Sequence, residues 1–270
     1  MKHLGKLLYF VIIMVSSSVF LAGWATAGSL GVDPLFMELS PGKSGAIRIQ
    51  NAGEKLATVE VLVFERVVDE NGIQTRREAD DDFIIFPPQA VIRPSSTQVI
   101  RFQPVSKDVG HSKSYFVTIK EIPIKLNDVP EGFHLNVVFA FDSAVHIVPR
   151  GVKEDPQAIS AKPDVMWISR SDDAVIGNDG QVVKDEISVP AVSIEIENQG
   201  SKYFYIQDYN YIVTGINNAG HDITIDGWTS AEIVKHVPVV LVEPGKRRAF
   251  SLPLPIGTTA KDLTVSIKKR

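Results

Sequence analysis

An all-β chain built as two antiparallel sandwiches is what this sequence predicts. Apolar and polar residues alternate with period two in run after run. The runs recur at roughly 8–12 residues and are closed by turn signals such as Pro41-Gly42, Asn71-Gly72 and Pro244-Gly245. Almost nothing after Ala27 holds the apolar spacing of a helix.

Taken in order, Ser29 to Leu39 opens the first series, with Pro34 marking an edge or sheet-switching strand. Ala46 to Gln50 alternates and ends at Asn51-Ala52-Gly53. Val59 to Val67 is a β-branched run with Val59, Val61 and Val63 on one face. Asn71-Gly72 predicts a hairpin. Phe83–Phe86, Ala90–Ile92, Val99–Phe102 and Tyr115–Ile124 follow as strands. A long strand, Phe133 to Pro149, closes the series, with Leu135, Val137, Phe139 and Phe141 forming a bulky row on one face. Such a row either fills its own core or is lent to another protein. Pro149 to Pro163 then reads as a polar hinge, and a second β series begins near Asp164. Its strands are Val165–Ile168, Val189–Glu197, Tyr203–Val213, Asp222–Ile225, Val237–Val242, Arg248–Leu252 and Leu263–Lys268. The division is therefore a leader over 1–27, one sandwich over 28–150 and a second over 151–270.

The leader is read from Lys2 and Lys6, an apolar run from Leu7 to Leu21, and the small-x-small site Ala25-Thr26-Ala27. That is the pattern of a cleaved signal peptide and predicts export. The 270 residues are 44% hydrophobic and 22% charged, a globular composition. A formal net charge of −4 creates no field that favours nucleic acid or an anionic membrane. Without a cysteine, neither a disulfide nor a thiolate metal site is available.

No constellation for catalysis, metal or cofactor emerges. The histidines are scattered, and His146 in the long strand reads as a satisfied strand residue sooner than a ligand. Gly42-Lys43-Ser44 ends like a phosphate loop, but Met37 stands where its first glycine belongs. Asp80-Asp81-Asp82 and Asp172-Asp173 lack the spaced acidic loop of a calcium site and read as solvated turns. Trp167, Trp228 and Tyr203-Phe204-Tyr205 offer a carbohydrate platform only if exposed, and strand aromatics are usually core.

Pro87-Pro88, Arg93-Pro94, Gln98-Val99-Ile100-Arg101, Lys120-Glu121-Ile122-Pro123 and the long strand ending Ile147-Val148-Pro149 stand in that order. In these motifs the chain resembles the periplasmic pilus-assembly chaperones of the chaperone–usher pathway. Asn51 and Gly53 fit the same pattern, and Glu197-Asn198-Gln199-Gly200 and Glu243-Pro244-Gly245 extend it more weakly. The resemblance implies two immunoglobulin-like domains joined at an angle. It implies a non-enzymatic chaperone that binds pilin or fimbrial subunits by donating a strand, and delivers them to an outer-membrane usher. The donor residues would be Phe133, Leu135, Val137, Phe139 and Phe141. Glu121 matches the family's interdomain glutamate. The family's carboxylate-anchoring arginine and lysine fall here on Phe36 and Ala144, so the anchor is lost or moved, as in divergent or archaic-type branches. The candidates to replace it are Arg101 first, then Arg93, Lys120 and Arg150. The short Leu126–Gly132 loop fits multi-subunit or simple pili. An exposed apolar row also favours self-association of the free chain. The rival reading is a structural or adhesive surface protein of two immunoglobulin-like modules, in which strand 133–149 pairs only within its own domain.

Overall fold

The computed structural model describes residues 30–106, 109–122, 138–169, 175–176, 182–183 and 186–270. The leader reading at 1–27, and most of the proposed donor row, lie outside these residues. In the first domain the strands are β1 (Leu30–Asp33), β2 (Phe36–Leu39), β3 (Gly45–Asn51), β4 (Ala57–Val68) and β5 (Gln74–Glu78). They continue as β6 (Phe83–Phe86), β7 (Gln89–Ile92), β8 (Ser96–Pro104), β9 (Lys113–Ile122) and β10 (Ala140–Ile147). One sheet runs β1-β3-β8-β6, and the other β2-β10-β9-β4-β5 with β7 also on β4.

The chain changes sheets at Pro34. β1 pairs antiparallel with β3, whereas β2 lies parallel to β10. Alternation sets what each sheet buries. Ile47, Ile49, Val59, Val63, Ile100, Val117, Ile119 and Val145 meet between the sheets with no exposed surface. β5 is a strand that pattern reading misses, because Gln74-Thr75-Arg76-Arg77-Glu78 carries no apolar residue. It is held by its ladder to β4, and a charged row suits an edge.

The second domain begins earlier than expected. β11 (Pro156–Ser169) starts inside the predicted hinge, which shortens the connection to Val148–Asp155. Pro163 is tolerated because β11 is the edge of the sheet β11-β14-β19, formed with β14 (Glu186–Asn198) and β19 (Arg247–Pro253). The short β12 (Val175–Ile176) and β13 (Val182–Val183) pair with each other between β11 and β14. The facing sheet is β17-β16-β20, from β16 (Tyr209–Ile216), β17 (Asp222–Ile225) and β20 (Lys261–Lys269). β15 (Phe204–Tyr205) pairs with β18 (Leu241–Val242). Among the described residues one α-helix, α1 (Ser230–His236), interrupts the all-β pattern. Its signal is the capping box of Thr229 and Glu232, a Thr-x-x-Glu spacing that strand reading passes over.

Both domains end a strand on the same buried turn. Asn51 Nδ2 donates to Lys55 O at 2.8 Å and Ile92 O at 3.0 Å, while its Oδ1 accepts from Gly53 N. Asn198 Nδ2 donates to Lys202 O at 2.8 Å and Val242 O at 3.3 Å, and its Oδ1 accepts from Gly200 N. The Asn-x-Gly signal in each half therefore marks one repeated device. It satisfies main-chain groups that would be costly to bury alone.

Candidate functional site

The last strand of the first domain has one half paired on both sides and one half open. Ala144 to Ile147 lies between β2 and β9, whereas Ala140 to Ser143 is paired by backbone only to β9. Ala144 N donates to Leu35 O on the β2 side, and Phe139 O accepts from Glu121 N on the β9 side. Alternation then turns the main-chain groups of Ala140 and Asp142 toward the open edge, where no strand lies among the described residues. Val138, 45% exposed, continues that edge outward.

The two faces of β10 differ. Phe141, Val145 and Ile147 point into the first domain's core. Phe139 stacks on Phe141 with centroids 6.3 Å apart. Phe141 is half-buried against the core of its own domain. Phe133, Leu135 and Val137 lie outside the described residues, and Phe139 is the row's half-buried described member beside them.

Asp142, Ala144 and His146 point to the other face, which fronts the second domain. Phe36 is the cross-strand partner of Ala144, and Glu38 of His146. Further along the same face, Ala144 is opposite Phe116, and Phe116 opposite Phe64. Arg76 reaches over this surface from β5. Its guanidinium is 4.9 Å from the Phe116 ring centroid and grips Asp142 through two bonds of 3.1 and 2.5 Å. Thr118 Oγ1 also donates to Asp142, at 2.7 Å. Phe36 and Ala144 are therefore flanked by cations, Arg76 on one side and Lys202 on the other.

Lys202 belongs to the domain junction. It lies 3.1 Å from Glu38, which also accepts the Tyr203 hydroxyl hydrogen bond. Burial pushes the Glu38 carboxyl up, but the bonds from Tyr203 and Lys202 outweigh it and leave the group below its usual range. Burial, then the bond to Glu38, pushes the Tyr203 phenol well up. His146, with no exposed surface, stacks on Tyr203 at 3.9 Å. A cavity of about 260 Å³ opens beside these groups, lined by Phe36, Glu38, Glu154, Tyr203, Tyr209 and Lys269. Lys269 pairs with Glu154 there.

A second contact holds the domains together. The β4–β5 hairpin at Asp69–Ile73 rests on β19, where Ala249 N donates to Glu70 O at 2.8 Å. Arg248, 4% exposed, places its guanidinium against Gly72 and donates to Val239 O at 2.8 Å. Val68 packs with Tyr203 and Leu241 between the two contacts.

The predicted anchors are not brought together. Arg101 projects from the outer face of the opposite sheet, between Ala46 and Phe86, and does not front the junction. Arg93 sits in the turn beside Ile92, which pairs with Ala57, at the end of β4 remote from Val68. Lys120 is half exposed and paired with Glu60 at 3.0 Å. Arg150 alone stands at the connection, exposed. Glu121 also departs from its reading. Ser112, before β9, bonds Ser201 of the second domain, while Glu121 lies at the opposite end of that strand. At about 3.4 Å per residue the separation approaches 30 Å, and the carboxylates that bridge the junction are Glu38, toward Lys202 and Tyr203, and Glu243, toward the Val68 main chain. Arg76 and Glu38 were missed because β5 has no apolar pattern and because Glu38 gains its role only from a residue 165 positions away.

Comparison with known proteins bears on this arrangement. Residues 35–153 match the family described as pili and flagellar-assembly chaperone, PapD N-terminal domain. A solved chaperone–tip adhesin complex of CFA/I fimbriae biogenesis is 10% identical with a TM-score of 0.52, covering 89% of this chain and 99% of that one. The class 5 fimbriae chaperone CfaA is 10% identical with a TM-score of 0.51 and the same coverage. At that identity the likeness concerns the fold: two linked β-sandwiches of the immunoglobulin type. No curated protein sequence matches the chain.

Proposed function

We propose that this chain, whose N-terminal domain is of the pili and flagellar-assembly chaperone type, is a periplasmic chaperone that completes pilus subunits by donating a strand. The observation that carries the reading is the open edge of β10 at Ala140 and Asp142. It can accept a further strand through main-chain hydrogen bonds. Leu135, Val137 and Phe139, with Phe133, supply alternate side chains to a subunit's apolar groove. Each contributes about 1.5–3 kcal/mol when fully buried. Delivery to an outer-membrane usher and export by a cleaved leader belong to the same reading. So does the absence of any enzymatic step.

The subunit's terminal carboxylate is received at the face beside Phe36 and Ala144 by Arg76. Two of its donor contacts engage Asp142, and guanidinium carries five N–H donors in all. The two-module surface protein would need strand 133–149 paired within its own domain along both edges, and at Ala140 β10 is paired only to Lys120 of β9 among the described residues.

The test is co-expression in a periplasm with the pilin encoded nearest to this chain. A Leu135→Asp and Val137→Asp double variant should remain folded and lose the soluble pilin. Equal recovery of pilin with and without the two aspartates would overturn the reading.

A further inference from the structure

His146 is a first-domain residue whose ring is enclosed by groups of both domains. Its Nδ1 is 2.9 Å from Ser114 Oγ and its Nε2 2.9 Å from Tyr205 Oη. Tyr203 covers one face at 3.9 Å with an interplanar angle of 18°, and the Phe36 ring lies 5.5 Å away. Separating the domains would remove both tyrosines and return the imidazole to water. The docked junction therefore holds His146 neutral, and the separated junction does not.

We propose that the His146–Tyr203–Tyr205 stack is a proton-sensitive latch, closed while the imidazole is neutral and loosened when acid conditions favour its protonation. This goes beyond strand donation and concerns the free chain. The groups facing the imidazole decide its direction. Burial is the largest influence and disfavours the cation, Arg66 from β4 adds repulsion, Glu38 from β2 opposes them, and Lys202 of the second domain again disfavours charge. Ser114 from β9 and the two tyrosines bring no charge that offsets Arg66. The balance pushes the ring down to about 3 from an ordinary 6.5. The sign follows by linkage. Between those values the open junction binds a proton that the docked one refuses, so docking weakens as pH falls below 6.5. From pH 7.5 to 4.5 the opening constant should rise about 100-fold, tenfold for each pH unit below the open-state value. Arg248 at the second contact keeps its charge throughout, so the hairpin contact does not share this dependence.

The amide of Tyr203 reports the opening directly, because it donates across the junction to Ser112 Oγ at 2.8 Å. Its hydrogen-exchange protection, corrected for the intrinsic rate, should fall about 100-fold over that pH range in the full chain. His146→Gln keeps a side chain able to donate and accept without titrating, and its Tyr203 protection should stay flat. An unchanged wild-type protection, or an equal fall in His146→Gln, would overturn the latch. Should the variant fail to fold, the His146 ring is titrated by NMR in the wild-type chain. A ring neutral below pH 5 supports the latch, and one titrating near 6.5 in the docked protein overturns it.

Discussion

Replacing Gly72 by alanine should uncouple the domains at their second contact. Gly72 has φ of +85°, and an added Cβ would stand 1.7 and 2.0 Å from the terminal nitrogens of Arg248. Two costs add. The left-handed backbone costs a residue with a Cβ about 1–2 kcal/mol. The guanidinium must then leave its seat and give up the bond to Val239 O, and a hydrogen bond of a charged donor contributes about 1.5–3 kcal/mol. It has little slack, because its Nε already lacks a partner and the side chain is almost wholly buried. The expected loss is about 2.5–5 kcal/mol. Gly220, at φ +81° in another hairpin turn with nothing within 4 Å of its added Cβ, supplies the control. Gly220→Ala should lose only the backbone cost, about 1–2 kcal/mol. The assay is urea unfolding followed by tryptophan fluorescence, since Trp167 and Trp228 both lie in the second domain. In an Arg248→Ala background, Gly72→Ala should cost no more than Gly220→Ala. Equal losses from the two glycine variants in the wild-type background would refute the argument that Gly72 is a seat for Arg248.

The other expectations rest on separate groups. Arg76→Ala should weaken subunit binding by roughly 10- to 100-fold, the worth of one charged hydrogen bond, as read by calorimetry or by pull-down of a tagged subunit. Arg101→Ala, on the opposite sheet, should change it little, and the reverse order would restore Arg101 as the anchor. Asn198→Ala should destabilise the chain by about 2–4 kcal/mol in urea titration, because it orphans the Gly200 N–H and two carbonyls in a buried turn. Asn51→Ala should behave alike in the first domain. Glu38 is held below its ordinary 4.5, so its contribution is present above that pH and lost as pH falls through the lower folded value. Glu38→Gln should flatten that acid limb of the stability curve. A limb unchanged in the variant would assign it to other carboxylates.

Much of the fold was legible because alternation is a local property. Val59, Val61 and Val63 announce a buried face within five residues, and the structure buries all three. Pro34 announces a switch between sheets, and β1 and β2 do pair in different sheets. β5 was illegible because Gln74 to Glu78 has no apolar face to read, and its ladder to β4 supplies the stability instead. α1 was illegible to a period-two reading, although its capping box stands in the sequence.

The site divides along the same line. Residue order alone pointed to a strand within 133–149, described here as β10 over Ala140–Ile147, and to the positions Phe36 and Ala144. The structure registers those two side by side. What takes their place was decided only by packing. Arg76 arrives at Asp142 because its side chain reaches from the edge strand β5 across the Phe116 ring, and Arg101 is removed because its outward face belongs to the other sheet. Asn71-Gly72 shows the contrast within one turn. Its dipeptide determined a hairpin, since glycine accepts positive φ without steric cost. That the hairpin seats Arg248 was determined by how two separately formed cores dock, and no local pattern encodes the approach of residues 176 positions apart.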